Sequence, residues 1–197
     1  MSVSCALQPN HLLTCLQSTA GFYNFTNIRY AEPPVGNLRF RAPVPVTTKS
    51  NTVQNGSVGA ICPQASPAWL AITSTFIPAY LSGKPYDYAA AVAALSNSSS
   101  AAPAMDPRTS EDCLFLDVVV PKQIFDQAGN QSCSGAPVMV WIYGGGYTFG
   151  NKNGNGNPAG LIKASQASGS TGIIYVALNY RVRSPLASLR QNLADGF

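Results

Sequence analysis

The chain has 197 residues, enough for one sizeable core of the kind that buries roughly 70% of its unfolded surface. Charged residues make up only 10% and hydrophobic ones 46%, against roughly 25% charged in ordinary globular chains, so Ser, Thr, Asn and Gln must supply much of the surface. Net charge is +4, yet the basic residues are scattered, with only Arg181, Arg183 and Arg190 loosely grouped, which argues against a nucleic-acid partner.

Residues 1–21 are mixed and unpatterned and read as an irregular arm. Over residues 22–30 aromatics recur every second or third position, the pattern of a strand or short hairpin. Residues 31–40 carry Pro33, Pro34 and Gly36, which prevent regular structure and fix a rigid loop that Pro43 and Pro45 extend. Residues 51–67 are turn-rich, with Cys62-Pro63 as an anchored loop. Helical readings follow at 69–81, as helix or cover, and at the Ala-rich 88–95. The β-branched run 114–120 is a buried strand that Pro121 terminates, and 131–137 is a polar, hairpin-like stretch.

The run V-M-V-W-I-Y at 138–143 has no charge and stops at Gly144, Gly145 and Gly146. This suits a strand buried on both faces, as in a parallel sheet, feeding a backbone-rich loop. Asn157 before Pro158 predicts an N-cap and first helical residue for a helix over 158–167. A further buried strand spans 173–179. Strand, helix and strand thus alternate in the last third, the signature of an α/β fold with a parallel sheet.

Spacing tests the glycine loop. A dinucleotide fingerprint would place its third glycine at Phe149, and a P-loop fails because Asn151 separates Gly150 from Lys152 and Asn153 follows it. Two readings stay open on these residues: the glycine loop of α/β-hydrolases, whose amides help form an oxyanion hole, and a plain glycine-rich turn. Cys5, Cys15, Cys62, Cys113 and Cys133 make no C-x-x-C pair, so neither a metal nor a cofactor is expected. Sequons at Asn24, Asn55, Asn97 and Asn130 make these residues glycosylation candidates and point to the secretory route, although no signal peptide is visible. No apolar run is long enough to cross a bilayer.

Four motifs in order, A-E-P-P-V-G-N-L-R-F, S-E-D-C-L-F-L-D-V, V-M-V-W-I-Y-G-G-G-Y and V-A-L-N-Y-R-V, resemble the type-B carboxylesterase family, the branch that includes cholinesterases and secreted fungal lipases. The resemblance covers residues 22–183 and implies the N-terminal part of an α/β-hydrolase fold, an incomplete, mostly parallel sheet with long Pro/Gly/Ser-rich loops. It implies that Gly145 and Gly146 donate N–H groups to the oxyanion of a tetrahedral intermediate. It implies a disulfide between Cys62 and Cys113 beside the active-site gorge, and an ion pair of Arg39 with Glu111. Tyr143 stands where many esterases carry His. The implied substrate is a small-molecule or lipid ester and the implied location extracellular.

The nucleophile, acid and histidine of such a hydrolase are not among the matching positions. No G-x-S-x-G elbow occurs, Gly169-Ser170-Thr171-Gly172 being nearest but too short, and the single histidine, His11, lies in the arm. Residues 184–197 diverge from the family, which suggests a truncated gene model, a splice product or a frameshift, with the start missing as well. Three expectations follow: a hydrolase fragment inactive by itself, a non-catalytic interaction module, or an unfolded by-product with a bare strand edge at 173–178.

Overall fold

A computed structural model describes residues 2–8, 11–17, 21–47, 50–54, 56, 59–65, 68–97, 106–128, 135–154 and 156–181. Among these residues seven strands make one sheet: β1 (Ser2–Gln8), β2 (His11–Gln17), β3 (Phe22–Arg29), β4 (Ser50–Gln54), β5 (Phe115–Pro121), β6 (Val138–Trp141) and β7 (Ile174–Leu178). Four helices accompany it: α1 (Ala68–Leu81), α2 (Tyr88–Asn97), α3 (Lys122–Asp126) and α4 (Ala159–Ser165). Neighbours in the sheet run β1-β2-β3-β5-β7-β6, and β4 pairs with β2.

Within the stretch expected to be an irregular arm, Ser2–Gln8 and His11–Gln17 are the strands β1 and β2, which pair antiparallel, and β2 also pairs antiparallel with β3.

The sheet is α/β in company but not mostly parallel. Among the described residues only β2 with β4 and β6 with β7 run parallel, while β1–β2, β2–β3, β3–β5 and β5–β7 are antiparallel. Of the strand–helix–strand connections, the one through α4, which carries the chain from β6 to β7, joins parallel neighbours. A helical crossover of that kind is what a parallel pair needs.

The core gathers around β5, which lies between β3 and β7. On one side Tyr23, Phe25 and Val120 are buried, with Ile28, Val118, Ile124, Phe125 and Ile174 packed against them. Ile124 and Phe125 belong to α3, a helix the sequence reading passed over. Phe125 sets its ring 4.8 Å from Tyr23 and 5.6 Å from Phe25, in the tilted geometry that aromatic pairs prefer. A second cluster joins Ala31, Cys62, Cys113 and Leu114.

The apolar run at 138–142 is not covered on both faces. β6 is the last strand of the sheet path, and Val138, Val140 and Ile142 are 57%, 52% and 66% exposed. The bare edge expected at 173–178 therefore falls on β6, because β7 inserts between β5 and β6. An unbroken apolar run records the burial for which the residues suit, and sheet order decides whether neighbours supply it.

Cys62 and Cys113, 51 positions apart in sequence, form a disulfide with Cα atoms 5.0 Å apart. The loop it closes contains α1 and α2. Replacing both cysteines by Ser should lower the unfolding free energy by about 4 kcal/mol, from loop-closure entropy, as read in urea titrations. A loss under about 1 kcal/mol would show that the unfolded chain gains little freedom when the bridge is removed.

Candidate functional site

The glycine loop leaves β6 and returns toward the sheet at Gly150. Its backbone takes positive φ at Gly145 (151°), Gly146 (58°), Tyr147 (61°) and Gly150 (112°). A Cβ on Gly145 would lie 1.9 Å from the Phe149 carbonyl oxygen, and one on Gly150 would lie 2.5 Å from the Tyr143 ring. Glycine is thus required at both places by close approach as well as by φ. The Gly145 carbonyl accepts the N–H groups of Thr148 (3.0 Å) and Phe149 (3.2 Å), closing the turn. Among the described residues the N–H groups of Gly145 and Gly146 donate to no acceptor.

Tyr143 fixes the loop's entrance. It is 2% exposed, in contrast to the strand before it. Its ring stacks on Tyr180 with centroids 4.4 Å apart. The Tyr143 hydroxyl donates to the Tyr180 carbonyl (3.1 Å), and the Tyr180 hydroxyl donates to the Tyr143 carbonyl (2.7 Å). Burial, foremost, pushes the Tyr143 phenol from its usual 10.0 to about 12, since an ionised oxygen there would lose its water.

The segment after Cys62 straps the loop from the side. Ala65 N–H donates to the Thr148 carbonyl (2.8 Å), and Gln64 Nε2 donates to the Gly150 carbonyl (2.9 Å). The disulfide that roots this strap therefore bears directly on loop position. Arg39 Nη2 lies 2.5 Å from Glu111 Oε1, which ties the proline loop to the approach to β5. A second bridge, Arg29 to Asp112, is bidentate at 2.5 and 2.7 Å, and its guanidinium lies 4.6 Å from the Phe115 ring centroid.

The loop's exit is held by charge. Lys152 Nζ donates to both carboxylate oxygens of Asp117, each at 2.6 Å, with side chains only 3% and 10% exposed. Asp117 lies in the middle of β5 and also accepts the Asn27 N–H (2.7 Å). That N–H is free to point there because β3 is irregular between Phe25 and Ile28, where Asn27 has a φ of 54°, as a bulge re-aims its residue. Lys152 N–H donates to Asn179 Oδ1 (2.9 Å), and fully buried Asn179 donates through Nδ2 to the carbonyls of Ala60 (2.9 Å) and Cys113 (3.2 Å). Beside the pair is a cavity of about 310 Å³, lined among others by Asn24, Tyr175 and Pro158.

The structure thus brings together Tyr143, Gly145, Gly146 and the Cys62 strap. It gives no such company to the remaining sequence candidates. Asn24 lies within β3, opposite Val119, and its amide oxygen is buried. Asn97 is the last residue of α2, and Asn55 and Asn130 lie outside the described residues. His11 begins β2, while Ser170 sits in a turn before β7 and accepts the Gly172 N–H through Oγ (3.2 Å). Asn157 accepts the Ala159 N–H (2.8 Å) and caps α4. The Lys152–Asp117 pair escaped sequence reasoning, although one acid inside F-L-D-V-V-V was the available signal.

Two outcomes test this geometry. Gly145→Ala should abolish the native loop turn and destabilise the chain by about 1–3 kcal/mol, the usual cost of strained backbone, as read by denaturant unfolding; a neutral substitution would refute the close approach. For Tyr143, the unfolded chain releases its phenolic proton near pH 10 while the folded chain keeps it to about 12. The unfolded state then binds fewer protons, so stability present below pH 10 is lost as pH rises toward 12. Tyr143→Phe should flatten that decline in denaturant midpoints between the two pH values, and parallel curves would contradict it.

Comparison with known proteins places these features in a family. The model of the carboxylesterase family matches residues 13–184. The carboxylesterase patB of Aspergillus clavatus is 44% identical over 178 residues, covering 87% of this chain and 32% of its own length. Lipase 4 of Diutina rugosa is 36% identical over 81% of this chain and 25% of its own. The inactive carboxylesterase-like protein VdtD of Byssochlamys spectabilis is 33% identical over 82% and 22% respectively. Among solved structures, Aspergillus niger EstA superposes with a TM-score of 0.57 at 30% identity, over 88% of this chain and 25% of that one. The chain therefore spans about a third or less of the length of these relatives. On the extent of the family match and on these identities, the chain belongs to the carboxylesterase family.

Proposed function

We propose that this segment supplies the oxyanion-stabilising part of a carboxylic-ester hydrolase that works through an acyl-enzyme. The supporting observation is the pair of N–H groups at Gly145 and Gly146 that donate to nothing among the described residues. They lie in a turn whose ends are pinned by Tyr143 and Lys152. When a serine alkoxide adds to an ester carbonyl, negative charge moves to the carbonyl oxygen. Amides already oriented toward that oxygen stabilise it without reorganising, and losing one such donor costs ~100 to 1000-fold in rate. The nucleophile, the acid and the histidine base of the reaction would come from residues outside these 197. The substrate class is a small-molecule or lipid ester. A disulfide and four sequons favour an oxidising, extracytoplasmic setting.

A second reading, a non-catalytic member of the family, is supported by the similarity to an inactive carboxylesterase-like protein.

The 197-residue chain alone should leave p-nitrophenyl acetate and butyrate at buffer rates and take no label from a fluorophosphonate. Turnover that tracks a serine of this chain would overturn the proposal. In a polypeptide carrying this segment together with a complete triad, Gly146→Pro should lower kcat by ~100 to 1000-fold with little change in KM. A loss smaller than about threefold, with the fold intact, would remove the oxyanion role and favour the second reading.

A further inference from the structure

The loop's exit is fixed in an unusual way. Lys152 is the second residue past Gly150, and its ammonium is taken out of water to reach a carboxylate in the central strand of the core. Burying a charge pair costs solvation that its attraction only about balances, and apolar replacements are often as stable. Such a pair adds little as a fastener, but it is selective about where its partners sit. Here it selects the height of the loop's exit above β5. Two bonds on the backbone at that exit agree with this selection. Lys152 N–H meets Asn179 at the end of β7, and the Gly150 carbonyl meets Gln64 of the strap.

We propose that Lys152 is a positioning residue for the glycine loop: its side chain on Asp117 and its N–H on Asn179 set the loop's exit, and through it the placement of the Gly145 and Gly146 amides. The catalytic meaning of that placement rests on the oxyanion reading given above; the positioning itself does not. Two strands distant in sequence converge on Lys152, and each brings further segments with it. Asp117 brings β5 and, through the Asn27 N–H, the bulge of β3. Asn179 brings β7 and, through its amide, the carbonyls of Ala60 and Cys113 on either side of the disulfide. Lysine suits the task because its long stem spans from the loop to mid-strand while its head offers several donors to one carboxylate.

Residue-resolved amide exchange of the whole chain tests this without any enzyme assay. The reporters are Thr148 and Phe149, whose N–H groups close the loop on Gly145, and Ala65, whose N–H meets Thr148. Val118 and Val176, partners in the β5–β7 register, report the sheet. Lys152→Met should raise exchange at the three loop reporters by at least about tenfold and at the two sheet reporters by less than about threefold. Should that variant fold poorly because it strands the Asp117 carboxylate, Lys152→Met with Asp117→Leu removes both charges and should give the same local pattern. Loop reporters that stay protected, or a rise shared equally by Val118 and Val176, would overturn the proposal and leave the oxyanion reading standing. Conversely, a kinetically silent Gly146→Pro with local loosening in Lys152→Met would sustain the positioning role and defeat the oxyanion reading.

Discussion

Asn179 has no exposed surface, and its side chain is shared among three other segments: Oδ1 takes the Lys152 N–H, while Nδ2 gives to Ala60 and Cys113. Its carbonyl accepts the Tyr30 hydroxyl at 2.6 Å, and its N–H reaches the Phe115 carbonyl at 2.9 Å. Each of these partners is buried or partly so, and stranding one would cost about 1–3 kcal/mol. No other amino acid offers one acceptor and two donors in this planar arrangement with so short a stem. The end of β7, the disulfide, the loop exit and the start of β5 are therefore in mutual register through a single amide group.

From that junction the rest can be built outward. β5 leaves it flanked by β3 and β7, with Val118 and Val120 in the cluster around Tyr23 and Phe25. β3 joins through the bulge at Asn27, and the Cys62 strap runs from the disulfide to the underside of the glycine loop. The loop is then defined at its entrance by reciprocal tyrosines, at its side by the strap and at its exit by a buried ion pair. Polar groups hold it at every point, which suits a loop whose own glycines contribute no packing.

What could be read from the sequence followed what is local. The helices near 69–81 and 88–95, the strand near 114–120 and the cap at Asn157 all depend on residues close together in the chain, and each was legible. Strand direction and sheet order depend on how distant segments meet, so the antiparallel pairings of β3, β5 and β7 and the exposure of β6 were not. The same division holds for the loop. Gly145 and Gly146 announce themselves by composition, whereas Lys152, Asp117 and Asn179 are 27 to 62 positions apart and become one device only in space (117 to 152, 152 to 179, 117 to 179). A lone acid in an apolar strand implies a buried partner, but does not say which cation supplies it.

β6 pairs with β7 along one edge and with no other strand among the described residues. The backbone leading into the glycine loop is thus supported from one side as far as Tyr143, whereas the backbone leading out is tied to β5, β7 and the strap. The two roots of the loop thus differ in support: upstream of Tyr143 lies the exposed stretch that ends at Ile142, downstream of Gly150 the buried Lys152.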